Sequence, residues 1–311
     1  MSASLAFLLA AQQIVIPFGK PPPMPPAPIA PIQVNGPLFA SACKDWDDWD
    51  KPAPPVRIHA NTYLVGTCGI SAILITGTSG DILIDSGDEI GAGLVAKNIQ
   101  SLGFRLSDVK ILLHSHEHID HVGGMARMQR MTGAQLDASP AAAKVLNTGA
   151  AGAGDPQAGM QKPFPAAHVD RVIGDGAQVR LGNLMLTAMA TPGHTPGAMS
   201  WRWVSCDGGV CRSIVYADSL TPISRDNYRF SDHPEYLAAF RASIAKVGAI
   251  ADCDILLTPH PSASDMVNRL ALAKVENPSA CKDYATGLTK QLDERLAKEA
   301  AGQPTTETKE P

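Results

Sequence analysis

The sequence predicts an α/β fold in which two β-sheets pack face to face with helices on their outer surfaces. Three observations predict it. Short apolar strand signals are followed by helical stretches, and this succession occurs twice along the chain. In both halves, residues with metal-ligating side chains stand at strand ends. At 311 residues and 45% hydrophobic, the chain is long enough to bury a large core in one big domain or two small ones. A net charge of −4 with no basic cluster gives no case for a nucleic acid or an anionic membrane as partner. No run of about 18 apolar residues occurs, so no membrane span is expected beyond a leader.

Residues 1–42 read as that leader. The stretch Ser2-Ala3-Ser4-Leu5-Ala6-Phe7-Leu8-Leu9-Ala10-Ala11 has the apolar core of an export signal without its positive flank, with cleavage expected near Ala11. Pro21-Pro22-Pro23-Met24-Pro25-Pro26-Ala27-Pro28 then forms an extended, disordered spacer. Ala40-Ser41-Ala42-Cys43 is weakly like a lipoprotein box, but no apolar run precedes it, so Cys43 is read as a disulfide partner. One folded domain is expected over 43–301, followed by a polar, frayed tail over 302–311.

Within the domain, strand signals come in succession at 56–60, 62–65, 71–76 and 81–85, the last two joined as a hairpin by the turn Gly77-Thr78-Ser79-Gly80. A helix over 89–102 leads to a strand over 109–113, then a short helix at 125–131, a strand at 135–138 and a helix at 141–146. The second half has strands at 178–181, 184–188, 199–204 and 213–217, an amphipathic helix over 234–247 and a strand over 253–257. Helices over 263–274 and 281–300 close the domain. The small, Gly-rich stretch 147–165 is equally readable as a plain surface loop or as a flank of a site, with Met160 or Gln157 as its contact candidates.

The most informative run follows the strand at 109–113. It reads His114-Ser115-His116-Glu117-His118-Ile119-Asp120-His121. Crowded imidazoles cost burial and add no packing, so such a density of ligand-type residues points to metal. An extended segment puts His116 and His118 on one side, and a turn into a helix near Val122-Gly123-Gly124 aims Asp120 and His121 at a second point. That suits two adjacent metals. His114 and Glu117 are expected to face outward into solvent. His194, inside Thr191-Pro192-Gly193-His194-Thr195-Pro196-Gly197, and His260, between Pro259 and Pro261, each follow an apolar strand and complete a set of six. Three His around one zinc and Asp-His-His around another leave positions open for water, the catalytic pattern.

Six cysteines allow 15 pairings, among which the sequence alone does not choose. Cys206-Asp207-Gly208-Gly209-Val210-Cys211 reads as a hairpin tip closed by a short disulfide. An even count with one pair at hairpin spacing points to an oxidising compartment.

These motifs resemble the metallo-β-lactamase superfamily over residues 43–300, and within it the subclass B3 enzymes. Four stretches carry the resemblance: Asn61-Thr62-Tyr63-Leu64-Val65-Gly66, Ser115 through Gly124, Ile214-Val215-Tyr216-Ala217-Asp218-Ser219-Leu220, and Leu256 through Pro261. The resemblance implies a four-layer αββα sandwich with the metal site at one edge between the halves. It implies that His116, His118 and His194 hold one Zn2+ and that Asp120, His121 and His260 hold a second, two per chain. Other subclasses have a Cys where Ser219 stands, or an Asn in the first cluster, so this chain is of the all N/O type. The resemblance also suggests disulfides Cys43–Cys68 and Cys253–Cys281.

The implied activity is zinc-dependent hydrolysis of the β-lactam amide bond by a metal-bound hydroxide, conferring antibiotic resistance. Asp120 would hold the second zinc and orient the nucleophile. Ser219 and Thr221 are the expected substrate contacts, Ser219 being equally readable as a turn cap. No Gly-x-Ser-x-Gly elbow is present, so no covalent serine is expected. The implied partner is a small-molecule β-lactam, the implied compartment the periplasm, and a monomer is expected although nothing in the sequence fixes it. Two rivals stand beside this reading. One is a lactonase or thioesterase of the same fold, similar to glyoxalase II, in which Asp218 would bridge both metals; in the lactamase reading Asp218 points away from them. The other is a non-catalytic metal- or partner-binding module, which the complete ligand set opposes.

Overall fold

Alternation along the strands decides which layer each side chain enters. In the computed structural model, which describes residues 35–44 and 48–304, the chain enters through helix α1 (Gly36–Cys43). Strands β1 (Val56–His59), β2 (Thr62–Leu64), β3 (Ile73–Ile75) and β4 (Asp81–Ile84) form an antiparallel meander. Helix α2 (Glu89–Ser101) crosses to β5 (Val109–Leu113), which runs parallel to β4. Helices α3 (Ile119–Val122) and α4 (Met125–Thr132) lead to β6 (Gln135–Ala138), and α5 (Pro140–Thr148) leads on to β7 (Arg171–Val172), both strands joining in parallel. The first sheet thus has seven strands in sequence order.

The second sheet holds β8 (Gln178–Leu181), β9 (Leu184–Ala190), β10 (Met199–Asp207), β11 (Val210–Tyr216) and, after α6 (Pro234–Gly248), β12 (Ile255–Leu257) in parallel beside β11. Helices α7 (Met266–Ala271) and α8 (Ala280–Ala300) follow. On β3 and β4, Ile73, Ile75, Ile82 and Ile84 face the second sheet and meet Leu186, Trp201, Trp203, Ile214 and Leu257. The alternate residues Leu74 and Leu83 face out and pack under Val95 and Ile99 of α2 and Met125 and Met128 of α4. On the far side, Val215 and Leu256 pack under Phe240, Ile244 and Val247 of α6 and Leu288 and Leu292 of α8. The layers are therefore helix, sheet, sheet, helix, as expected. Among the described residues, no helix is long and apolar enough to cross a membrane.

Local chemistry explains most element ends. Asp88 caps α2 by accepting from the Gly91 N–H at 2.7 Å. Ser139 caps α5, Pro140 opens it, and Gly149 at φ 74° ends it. The β10–β11 hairpin turns on Gly208 and Gly209, both at positive φ, which sets Cys206 opposite Cys211.

Three expectations are corrected. The expected leader reached residue 42, yet Gly36–Cys43 is helical and packs on α7. Pro37 opens the helix, and Phe39 and Cys43, one turn apart, are both buried. The rest of that reading, the signal-like segment, cleavage near Ala11 and the Pro-rich spacer, lies outside the described residues, as does the tail from residue 305. The helix expected over 263–274 is broken: a 3₁₀ turn at Pro261–Ser264 gives way to α7 through Asp265 at φ 55°, a left-handed conformation that Asp tolerates. Strand β7 was not expected; its two residues are exposed and carry no apolar alternation.

All three expected disulfides are present: Cys43–Cys68, Cys206–Cys211 and Cys253–Cys281. The last ties the strand carrying His260 to α8 across a sequence separation of 28. In the chain-entropy account such a loop stabilises by about 3 to 4 kcal/mol. Replacing Cys253 and Cys281 together by Ala is therefore expected to lower the melting temperature by on the order of 10 °C, read by calorimetry. An unchanged melting temperature would show that this bridge adds nothing.

Candidate metal centre

The centre lies where β5, the β9–β10 loop and β12 end side by side. After Leu113 the chain leaves the sheet through bends at Ser115, Glu117 and His118 and then turns into α3. The alternation aims the ring nitrogens of His116 and His118 at one point, where His194 joins them; all three are buried and their ligand atoms lie within 4.8 Å of one another. The turn brings the second set together. Asp120 Oδ2 lies 3.0 Å from His121 Nε2 and 3.5 Å from His260 Nε2, and the two imidazole nitrogens are 3.2 Å apart. His116 also lies within reach of Asp120 and His121, so the two sets are adjacent.

Four of the five rings are fixed by their other nitrogen. His116 Nδ1 lies 2.8 Å from Asp218 Oδ1, His118 Nε2 3.1 Å from Asp155 Oδ2, and His194 Nδ1 2.9 Å from the Thr221 hydroxyl. His260 Nδ1 lies 3.1 Å from the Gly69 carbonyl. Outer partners of this kind choose the tautomer and leave the inner nitrogen free to donate its lone pair. His116 Nε2 and Asp120 Oδ1 are buried without a hydrogen-bond partner, which is costly for a chain alone and resolved by a cation.

Electrostatics agree. Burial and the neighbouring imidazoles hold His116 well below the usual histidine range; burial and the charge of His118 hold His194 down at about 3. Both are neutral, the form that ligates. Burial alone would lower His121, but Asp120 and Asp85 outweigh it and raise it to about 10. Burial would raise Asp120, yet His121, His260 and His118 pull it below the usual carboxylate range. A proton on His121 thus supplies the positive charge that this cluster of carboxylates calls for, and metal binding would release it. The donor set of imidazoles and one carboxylate, without sulfur, fits zinc or another borderline divalent cation.

Several site residues sit otherwise than the sequence suggested. His114 and Glu117 were expected in solvent, but both are buried. His114 accepts the Ser139 N–H on Nε2 at 3.0 Å and its carbonyl accepts Trp201 Nε1 at 2.8 Å, so it joins β5 to α5 and the second sheet. Glu117 accepts the Thr195 hydroxyl at 2.6 Å and the Gly197 N–H at 2.8 Å. Asp218 does not turn away from the centre; it anchors His116. The Thr221 hydroxyl is engaged with His194, whereas the Ser219 hydroxyl is buried and unpartnered. Of the two loop candidates, Gln157 is buried with its amide nitrogen 3.2 Å from His194 Nε2, and Met160 is exposed. The Arg225 guanidinium holds that loop through the Asp155 carbonyl at 3.0 Å.

Two anchors were missed outright. Asp155, in the Gly-rich stretch, carries no local signal beyond its Asp-Pro-Gln turn. Asp85, just past the end of β4 and at φ 63°, accepts the Ser115 N–H at 2.6 Å and the Tyr216 hydroxyl at 2.7 Å. A carboxylate at the same sheet edge as the other ligands was the available signal. Backbone held in this conformation at a non-glycine residue is typical of functional sites.

A family model described as the metallo-beta-lactamase superfamily matches residues 65–248. The chain is 30% identical over 241 residues to a hydroxyacylglutathione hydrolase of Anaeromyxobacter dehalogenans (strain 2CP-C), covering 78% of this chain and 73% of that one. It spans less than half the length of further curated relatives with the same name. Among solved structures, MIM-2 metallo-beta-lactamase superposes with a TM-score of 0.82 at 58% identity, covering 86% of this chain and 98% of the other. MEM-A1, a subclass B3 metallo-beta-lactamase from a soil metagenome library, gives 0.79 at 42% identity, covering 82% and 100%.

Proposed function

This chain belongs to the metallo-beta-lactamase superfamily, and from that premise we propose that it is a zinc hydrolase of the subclass B3 type that opens the β-lactam amide bond. The observation that carries the reading is the pair of adjacent ligand sets in which four of the five histidines have their outer nitrogen anchored. In the proposed assignment His116, His118 and His194 hold one zinc, and Asp120, His121 and His260 hold the other. Zinc bound there supplies a Lewis acid and lowers the pKa of its water to about 7.

The chain's own groups do the rest. Asp120, ionised and with Oδ1 unpartnered, accepts a hydrogen bond from the attacking water and orients it. Asp218 and Asp155 hold His116 and His118 in the ligating tautomer. The Ser219 hydroxyl, unpartnered at the same edge, donates to the substrate carboxylate. Thr221, proposed as a substrate contact from the sequence, is better assigned to orienting His194.

A second reading, thioester hydrolysis, is favoured by the hydroxyacylglutathione hydrolases among the relatives. Against it, Asp218 has Oδ1 on His116 and Oδ2 turned to the Leu220 N–H at 3.4 Å, so neither oxygen is spare to bridge two metals. Three disulfides support an oxidising, periplasmic location, where glutathione thioesters are not the expected substrate.

The test assays purified protein on a chromogenic cephalosporin, a carbapenem and a glutathione thioester, with metal content measured in parallel. The expected result is about two zincs per chain and β-lactam turnover that a chelator abolishes and zinc restores. Full activity with at most one bound metal would overturn the two-metal assignment. Turnover of the thioester alone would overturn the substrate.

A further inference from the structure

Glu117 stands between two ligands and is not one itself. Alternation sends His116 and His118 toward the metal centre, so residue 117 must face the opposite way. What it meets there is the Thr191–Gly197 loop that presents His194. The carboxylate accepts the Thr195 hydroxyl at 2.6 Å and the Gly197 N–H at 2.8 Å, both just beyond His194 in sequence. Glu117 is 2% exposed and Thr195 fully buried. The fit is close: a Cβ on Gly197 would lie 2.7 Å from Glu117 Oε2 and 2.5 Å from the Ala142 nitrogen.

The other half of the loop is held from α6. Tyr236 donates to the Gly193 carbonyl at 3.1 Å and Ser243 to the Pro192 carbonyl at 2.7 Å. His194 is thus suspended between α6 on one side and Glu117 on the other. The second attachment joins it to the very segment that carries the other two imidazoles.

We propose that Glu117 is a positioning residue that fixes the distance of His194 from His116 and His118, and so sets the affinity of that three-histidine position for its metal. The proposal rests on the metal assignment above. A buried carboxylate is costly to keep, and two hydrogen bonds to one loop are what retain it here. Alanine removes both acceptors and strands the Thr195 hydroxyl and Gly197 N–H. Glutamine keeps the shape: its carbonyl oxygen accepts from Gly197 and its amide donates to the Thr195 oxygen.

The experiment titrates metal-stripped full-length protein with Co2+ or Zn2+ against a chromophoric chelator, for the native chain and for Glu117→Ala, Glu117→Gln, Thr195→Val and Asp120→Asn. Glu117→Ala is expected to weaken one of the two metals by about 10- to 100-fold, the usual cost of losing an outer-sphere support, and to leave the other within about threefold. Asp120→Asn weakens the other one, which identifies the positions. Glu117→Gln is expected to restore affinity to within about threefold of native, and kcat should fall more than KM changes in the alanine variant. Native affinity at both positions in Glu117→Ala, or a glutamine variant as weak as alanine, overturns the proposal. If Glu117→Ala does not fold, Thr195→Val carries the test: the same position weakens by about threefold or more, and native affinity overturns it. A native chain that binds fewer than two metals would instead refute the metal assignment.

Discussion

His116→Ala and His194→Ala are each expected to reduce β-lactam kcat/KM by on the order of 1,000-fold or more, with the fold intact. Each removes a nitrogen that already points at the centre, and nothing nearby replaces it. His116 Nε2 is buried and unpartnered, while its Nδ1 is committed to Asp218. His194 Nδ1 is committed to Thr221 in the same way. The fold should survive because the rings are crowded, buried and neutral, and contribute little packing. His116 and His194 stand 4.7 Å apart between ring centroids; burial lowers both, helped by neighbouring imidazoles that include His194 for His116 and His118 for His194. The measurement pairs hydrolysis of a chromogenic cephalosporin with circular dichroism and metal content. Near-native turnover in either variant would show that the ligands have been assigned wrongly.

Asp120→Asn and Asp218→Asn should separate by about an order of magnitude or more, although both replace a buried carboxylate by its neutral isostere. Asp120 is the sole carboxylate within 3.5 Å of both His121 Nε2 and His260 Nε2 among the described residues. Its charge is what offsets a cation there, so Asn weakens that metal and should cut kcat by roughly 100-fold or more. Asp218 acts through His116. An Asn side-chain oxygen still accepts the Nδ1–H, so the ring keeps its tautomer, and the loss should stay near 10-fold with two metals bound. Metal content decides between the readings. If Asp218→Asn loses a metal as Asp120→Asn does, its carboxylate reaches the metals, and the case for a thioesterase-type centre returns.

What the sequence made legible was what local pattern encodes. Short continuous apolar runs marked the strands β3, β4 and β5 to within a few residues, because a strand buried on both faces feeds two core layers and needs apolar residues at successive positions. The hairpin at Gly208-Gly209 follows from the conformational preference of glycine. The six residues proposed as ligands stood out because no packing reason exists for so many imidazoles. The anchors were not. Asp85, Asp155 and Asp218 lie 36, 37 and 102 residues from His121, His118 and His116, and only the fold brings them together. His114 and Glu117 were misplaced for a related reason. A polar residue in an alternating run reads as solvent-facing when the partner that satisfies it lies on another strand's loop. Helix α1 was hidden because its small apolar residues continue the look of the leader.

The anchor on His260 has a kinetic meaning. Its Nδ1 is held by the Gly69 carbonyl, 191 residues away in sequence. His116 waits on Asp218 across 102 residues, and His194 comes from the opposite half of the chain. The local run His116–His121, by contrast, is present as soon as the chain exists. In a zinc finger, nearby ligands let the ion nucleate the fold; with anchors this far apart in sequence, closure of the longest loops is expected to come first. Contacts of such separation form late, after the entropy of bringing distant segments together has been met. An ion arriving early would meet four ligands of the final six, in a chain free to offer them in the wrong geometry. Loading of the proposed centre is therefore expected to follow folding.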